Sequence, residues 1–223
     1  VFPLFTLLRP DLDGQIMEGL VSFNAEDLSL QPQIAEKWSI SSDGTVFTFT
    51  IRDDVYLHEN PVFGSKEDRK LTVEDVLFTF EKACKPNEQG NPTAAYLFLL
   101  ANQVKGATEY YEGKAKSISG IKVKKNQFEM TLINPDQTYI NKLANLSASI
   151  VSKKIVEAKK ETDVVGTGPF CFTAPTVEET YILLKDREKL ILSERKEINK
   201  DEVFTIESKE IKDKNPLKLR YCK

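Results

Sequence analysis

Few residues in this chain have the type and spacing to do chemistry. His58 is the only histidine, so a zinc site built on paired histidines has no second ring, and no His-Glu-x-x-His spacing occurs. A serine–histidine–aspartate relay would need a nucleophile elbow, and no Gly-x-Ser-x-Gly stands in the sequence. His58 is therefore expected to be structural, satisfying a local hydrogen bond in a strand-to-loop step. Gly166-Thr167-Gly168-Pro169 lacks the Gly-Lys-Ser/Thr ending of a phosphate loop and the third glycine of a dinucleotide fingerprint. Its glycines fit a backbone that turns tightly and approaches another strand closely. Cys84, Cys171 and Cys222 make an odd count without Cys-x-x-Cys spacing. They read as buried or free thiols, with one disulfide as the alternative. No catalytic residues, no metal site and no cofactor are expected from this set, and the chain is read as a non-enzyme.

Composition narrows the classes further. At 223 residues, 40% hydrophobic and 29% charged, the chain can bury a substantial core in one large or two small domains. A net charge of −3, with no basic patch interleaved with aromatics, argues against nucleic acid as a partner. No apolar run is long enough to span a bilayer. The opening VFPLFTLLRP has neither a basic n-region nor a cleavage site, so no secretory leader is read there.

The elements that must position these residues are read from periodicity. Trp38 and Ile40 alternate before Asp43-Gly44, and Phe47, Phe49 and Ile51 alternate after it. That pattern predicts a β-hairpin with a two-residue type I′ turn, its apolar side chains on one face and Ser39, Thr48 and Thr50 on the other. Trp38 is expected in the core. Residues 71–85 predict a helix: Thr72 N-caps it with Asp75 at the capping-box position, and Val73, Val76, Leu77, Phe80 and Ala83 form one apolar stripe. Residues 105–116 read as a short polar helix or loop carrying Tyr110-Tyr111. A second hairpin turns at Lys125-Asn126, with Ile121 and Val123 facing Phe128, Met130 and Leu132. Residues 137–147 predict a second helix with Tyr139, Ile140, Leu143 and Leu146 on one face. Residues 150–151 predict a short strand, and Ser152 caps a third helix. Phe170 with Phe172, and Tyr181 with Leu183, predict strands leaving the GTGPF turn. Beyond about residue 185 the chain is dense in Lys and Glu, and one or two strands are expected near 190–192, 203–206 or 217–219.

Five of these segments, in order, resemble family 5 of the extracytoplasmic solute-binding proteins, the peptide-binding components of bacterial ABC transporters. The stretch EGLVSFNAEDLSLQPQIAEKWSISSDGTVFTFTIR (18–52) is similar to the family's EGL strand, P-x-I-A-E-x-W and DG hairpin. VYLH (55–58) with Asn60-Pro61 resembles its V-x-F-H-D-G-x-P step, departing at Leu57, Glu59 and Asn60. LTVEDVLFTFEKA (71–83), ISGIKVKKNQFEMTLINP (118–135) and VGTGPF (165–170) resemble the next helix, hairpin and Gly-Thr-Gly-Pro-aromatic turn.

The resemblance implies an α+β fold: a mixed β-sheet with flanking helices, the first lobe of a periplasmic-binding-protein-like (class II) two-lobe architecture. Residues 1–185 would be the N-terminal lobe and residues 186–223 a charged tail, with the second lobe absent, since family members are more than twice this length. In the peptide-binding relatives the strand matching Glu18, Gly19 and Leu20 lines the cleft and pairs with the ligand backbone, a form of β-augmentation. Gly19 would let the ligand approach, and Glu18 would meet a ligand cation or a lobe-closing partner; the alternative is an ordinary edge strand with Glu18 in solvent. Tyr96 resembles a family aromatic that reaches the cleft, with a core tyrosine as the equal alternative. The implied partners are an oligopeptide or other small solute and the membrane subunits of an ABC permease. The implied location is extracytoplasmic, periplasmic or as a membrane-anchored lipoprotein. Two alternatives stay open: a protein-interaction module using the exposed cleft strand, with a dimer among its forms, and capture of a nickel complex, haem or oligosaccharide on the same scaffold.

Overall fold

Four antiparallel strands, in the spatial order Ala35–Ile40, Val46–Ile51, Gln127–Thr131 and Ile121–Lys124, carry the core. The computed structural model describes residues 14–158, 164–172, 203–205 and 218–221. Ahead of the sheet, β1 (Val21–Phe23) pairs with β2 (Leu30–Pro32). β3 (Ala35–Ile40) and β4 (Val46–Ile51) set Trp38 opposite Phe49 and Ile40 opposite Phe47. The period of two turns Phe47, Phe49 and Ile51 into the core, as the sequence predicts. Trp38 packs against that core from its edge, half-buried. β5 (Ile121–Lys124) and β6 (Gln127–Thr131) complete the sheet, with Val123 opposite Phe128 and Ile121 opposite Met130. All strand pairings among the described residues are antiparallel.

The first hairpin differs from expectation in its turn. Residues 41–45 join the strands, and only Gly44 there has positive φ, at 69°. Side chains explain the longer loop. Asp43 Oδ1 accepts from Ser41 Oγ at 2.5 Å, Thr45 N–H at 3.1 Å and Thr45 Oγ1 at 2.8 Å. Ser41 Oγ in turn accepts the Val46 N–H at 2.8 Å. These bonds hold the Asp43 carboxyl below its ordinary value and stabilise a loop wider than a type I′ turn.

One helix lies on the sheet. α1 (Val73–Ala83) buries Val76, Phe80 and Ala83, and Phe80 stacks on Phe128 at 5.2 Å. Its predicted capping box is present, with the Thr72 N–H donating to Asp75 Oδ2 at 3.0 Å. The other Asp75 oxygen accepts the Lys153 N–H at 2.8 Å. Asp75 thereby ties the start of α1 to the start of a later helix, Lys153–Glu157, whose cap Ser152 accepts the Ile155 N–H at 3.4 Å.

Between them the chain is built from shorter pieces. Tyr96–Leu100 form a π-helical turn, and α2 (Ala107–Tyr111) follows Gly106, whose φ is 78°. The helix predicted over 137–147 is broken into a 3₁₀ turn (Gln137–Tyr139), α3 (Ile140–Leu143) and a second 3₁₀ turn (Leu146–Ala148). Asp136 accepts the Thr138 N–H and Asn145 accepts the Ser147 N–H, both at 2.9 Å, so each side chain restarts a turn. Lys153–Glu157 is therefore α4. No ladder forms at 150–151, where a strand is predicted. Ile150 N–H donates to the Glu18 carbonyl at 2.9 Å and Val151 N–H to Thr79 Oγ1 at 3.1 Å, so only one bond is backbone to backbone.

β7 (Phe170–Phe172) pairs with β9 (Lys218–Tyr221), which pairs with β8 (Val203–Thr205). Two strands thus lie in the charged tail region; the strand expected at 181–183 and the alternation near 190–192 lie outside the described residues. Cys84 is a buried free thiol, as expected, but Cys171 is disulfide-bonded, which overturns the thiol reading there. Cys222 lies outside the described residues. Among the described residues no helix is long and apolar enough to cross a membrane.

Candidate functional site

Glu18, Gly19 and Leu20 thread between β2, β3 and the segment at 148–150. Their main-chain groups are spent inside the molecule. The Gly19 carbonyl accepts the Ile34 N–H at 3.1 Å, and the Leu20 carbonyl accepts from Ala35 at 3.0 Å and Gln33 at 3.3 Å. The Gly19 N–H donates to Gln33 Oε1 at 2.9 Å. A Cβ on Gly19 would sit 3.2 Å from the Leu143 carbonyl oxygen, so the close approach that glycine permits here is to the chain's own backbone. Leu20 is closed into the core, while Glu18 remains half-buried.

Arg52 stands near Glu18. Its guanidinium grips Asp54 through Nε and Nη2, both at 2.8 Å, and donates from Nη1 to the Gln33 carbonyl at 3.4 Å. The hydrogen bond to Asp54 is the main cause that raises Arg52 above its ordinary value, with weaker pulls from Glu18 and Glu36. Arg52 closes the resembled hairpin segment, but neither it nor Gln33 carries a role readable from spacing or motif. The only local signal for Gln33 is an amide placed just ahead of the buried Ile34 in PQIAE.

Tyr96 is not beside this group of polar side chains by any hydrogen bond. It is 5% exposed and stacks on Tyr111 with ring centroids 4.4 Å apart and planes at 14°. Burial raises its phenol above the ordinary value, opposed by a hydrogen bond with Thr108. Sequence reasoning set no role for Tyr111; its part is to stack on Tyr96.

His58 takes the structural place expected of it, in a second polar junction. Its own N–H donates to the Gly166 carbonyl at 2.8 Å, its Nδ1 accepts the Gly166 N–H at 3.2 Å, and its Nε2 meets the Gly168 carbonyl at 2.8 Å. Gly168 N–H donates to the Ile16 carbonyl at 2.8 Å. A Cβ on Gly166 would lie 1.9 Å from the Ile16 oxygen, and one on Gly168 2.4 Å from the Gln15 oxygen. Both glycines serve the close crossing of two backbones. Just beyond His58 an open groove of about 370 Å³ runs between Glu59, Asn60, Phe63, Lys66 and Arg69. Its charges are already engaged: Arg69 lies 3.6 Å from Glu59, and Lys66 sits over the Tyr56 ring at 5.0 Å. Among the described residues no three His, Cys, Asp or Glu side chains group as metal ligands. The chemistry on offer is hydrogen bonding and charge on a stiff backbone frame.

The same span is shared with known proteins. The profile described as bacterial extracellular solute-binding proteins, family 5, middle region, matches residues 29–203. A dipeptide-binding protein of Escherichia coli is 34% identical over 162 residues, which are 68% of this chain and 28% of that protein. Heme-binding protein A of Haemophilus influenzae is 30% identical over 171 residues, 71% of this chain and 29% of that protein. The structure of a peptide-bound oligopeptide-binding protein, OppA of Listeria monocytogenes, superposes with a TM-score of 0.60 at 26% identity, covering 74% of this chain and 32% of the other. The fold is accordingly α+β, part of a lobe of the class II two-lobe architecture. The chain spans less than a third of the length of these relatives.

Proposed function

This chain belongs to family 5 of the bacterial extracellular solute-binding proteins, and from that premise we propose that it serves an ABC transporter as the extracytoplasmic component that captures an oligopeptide. The observation that carries the reading is the 34% identity to a dipeptide-binding protein across 162 residues, 68% of this chain. In this reading the chain supplies one wall of a cleft. A solute enters between two lobes, hinge closure buries it, and the closed form is what a membrane permease recognises. The role is binding without catalysis, at a periplasmic or lipid-anchored location.

Within the same reading, the ligand is met along Glu18, Gly19 and Leu20. Glu18 offers a carboxylate to a cationic group of the ligand or to the facing lobe. Gly19 and Leu20, tied by their carbonyls to the N–H groups of Gln33, Ile34 and Ala35, keep that carboxylate on a fixed frame. Tyr96, 5% exposed and stacked on Tyr111, serves the core of the same lobe, with its ligand contact the finer part of this proposal. Replacing Glu18 by Gln is expected to weaken peptide binding by about tenfold, the loss of roughly 1.4 kcal/mol.

The test is calorimetric titration of the chain with a pool of di- to pentapeptides, run beside a haem titration followed in the Soret band. Saturable heat with peptide supports the proposal. A Soret shift without peptide heat would favour the second reading, haem capture, which the 30% identity to a haem-binding protein supports. Neither signal from folded protein would overturn solute capture by this chain.

A further inference from the structure

We propose that His58 is a pH-sensitive latch on the loop 166–168: the neutral ring holds the loop against the 57–58 step and the backbone of residues 15–16, and protonation releases it. The geometry fixes the tautomer. Nδ1 accepts the Gly166 N–H at 3.2 Å, so the ring proton is on Nε2, where it donates to the Gly168 carbonyl at 2.8 Å. An imidazolium carries N–H on both nitrogens. Its Nδ1–H would face the Gly166 N–H, and an accepted bond would become a repulsive contact between two donors.

The environment makes that change hard to absorb. His58 is 6% exposed, and Leu57 beside it packs with Val165 and Ile155 in a small apolar cluster. The loop cannot shift toward its other neighbour, because Gly166 and Gly168 already touch the backbone of Gln15 and Ile16 at distances that leave no room for a methyl group. Among the described residues, Thr167 Oγ1 and Gln15 Oε1 are buried at the same crossing without a hydrogen-bond partner. The charged groups carried by the elements packed here are Glu18 after the 14–17 segment, Glu59 and Arg69 next to the His58 step, and Lys153, Lys154 and Glu157 on α4. β7 begins two residues beyond Gly168, so release would reach the strand that pairs with β9.

A single histidine makes the experiment clean. In the full ¹⁵N-labelled chain, ring nitrogen shifts are followed from pH 8 to 4 together with exchange of the Gly166 and Gly168 amides. The expected result is an Nε2-protonated neutral ring at high pH. Below about pH 6.5, the ordinary histidine value, ring protonation and at least a tenfold loss of Gly166 protection, measured against the intrinsic exchange rate at each pH, should share one midpoint. A His58→Gln variant should lose the step while amides of β4 and β6 stay protected. An Nδ1-protonated ring would overturn the latch, as would a titrating ring with unchanged glycine amides. Simultaneous loss of protection in β4 and β6 would also overturn it, in favour of general acid unfolding. These readouts use no solute, so they stand apart from the test of peptide capture.

Discussion

Phe128 and Gly166 are both enclosed by the molecule, yet one methyl group has opposite meaning at the two positions. At Phe128, 0% exposed between Phe49 and Phe80, every carbon contributes dispersion and removes apolar surface from water. At Gly166 the first added carbon would fall 1.9 Å from the Ile16 oxygen. The sheet with α1 is a volume to be filled, and variety of apolar residues would serve it. The junction of residues 14–20, 58 and 164–168 is a crossing of backbones held by named hydrogen bonds, where position matters and volume is excluded. The sheet can therefore change sequence and keep its shape, while the junction can keep its sequence and change state.

The sharpest way to break this contrast is to truncate both. Phe128→Ala is expected to cost about 4 kcal/mol, because the transfer loss and the cavity left between two rings add. Urea unfolding should show the loss in the whole cooperative transition. Gly166→Ala is expected to cost about 3 kcal/mol through a backbone clash that no rotamer can relieve. Its effect should be confined, with fast exchange at 166–168 and near-native protection in β4 and β6. If Gly166→Ala melts the sheet as thoroughly as Phe128→Ala does, the two regions are one cooperative unit and the contrast fails.

Asp75 sharpens the comparison because it belongs to neither kind of region alone. One oxygen closes the cap of α1 and the other takes the Lys153 N–H at the start of α4. Asp75→Ala is expected to cost about 2 kcal/mol, a cap plus a buried donor left unpaired. Asp75→Asn should recover part of that, since an amide oxygen still accepts one bond. The thermal midpoint of the two variants, read side by side, separates the cap from the link to α4.

Legibility in the sequence follows the same division. α1 and both hairpins are readable because periodicity and local caps agree: the Val73, Val76, Phe80 stripe begins where Thr72 and Asp75 close a capping box. The region 137–148 misleads because Tyr139, Ile140 and Leu143 keep helical spacing while Asp136 and Asn145 restart the turn twice. Polar loop chemistry is local but not periodic, and the Ser41–Asp43–Thr45 network escaped a reading based on Asp43-Gly44 alone. At the junction, motif reading finds the glycines and correctly makes His58 structural, but pairs neither with the other. His58 and Gly166 are 108 residues apart, and no period connects them. Glu18 to Leu20 could be located by resemblance, whereas the internal use of their carbonyls depends on where Gln33 to Ala35 and Ile150 return in space.

The smallest expected effect concerns the two sulfurs that the regions treat differently. Cys171, in β7, is bonded, while Cys84, at the end of α1, is a free thiol among apolar side chains. Burial, helped by the nearby charge of Glu81, pushes the Cys84 thiol up to about 12 from an ordinary 9.0. A raised value in the folded state means the neutral thiol favours folding. That contribution is whole below pH 9 and is lost as pH rises from 9.0 toward about 12. Cys84 is therefore expected to resist a thiol reagent in the folded chain at pH 8 and to react once urea unfolds it. Between pH 9 and 11 the stability of Cys84→Ala should fall less steeply than that of the parent, the phenols of Tyr96, Tyr110 and Tyr139 titrating in both. Rapid labelling of the folded chain would mean that solvent reaches the end of α1, and the sheet core would then share the openness assigned here to the junction.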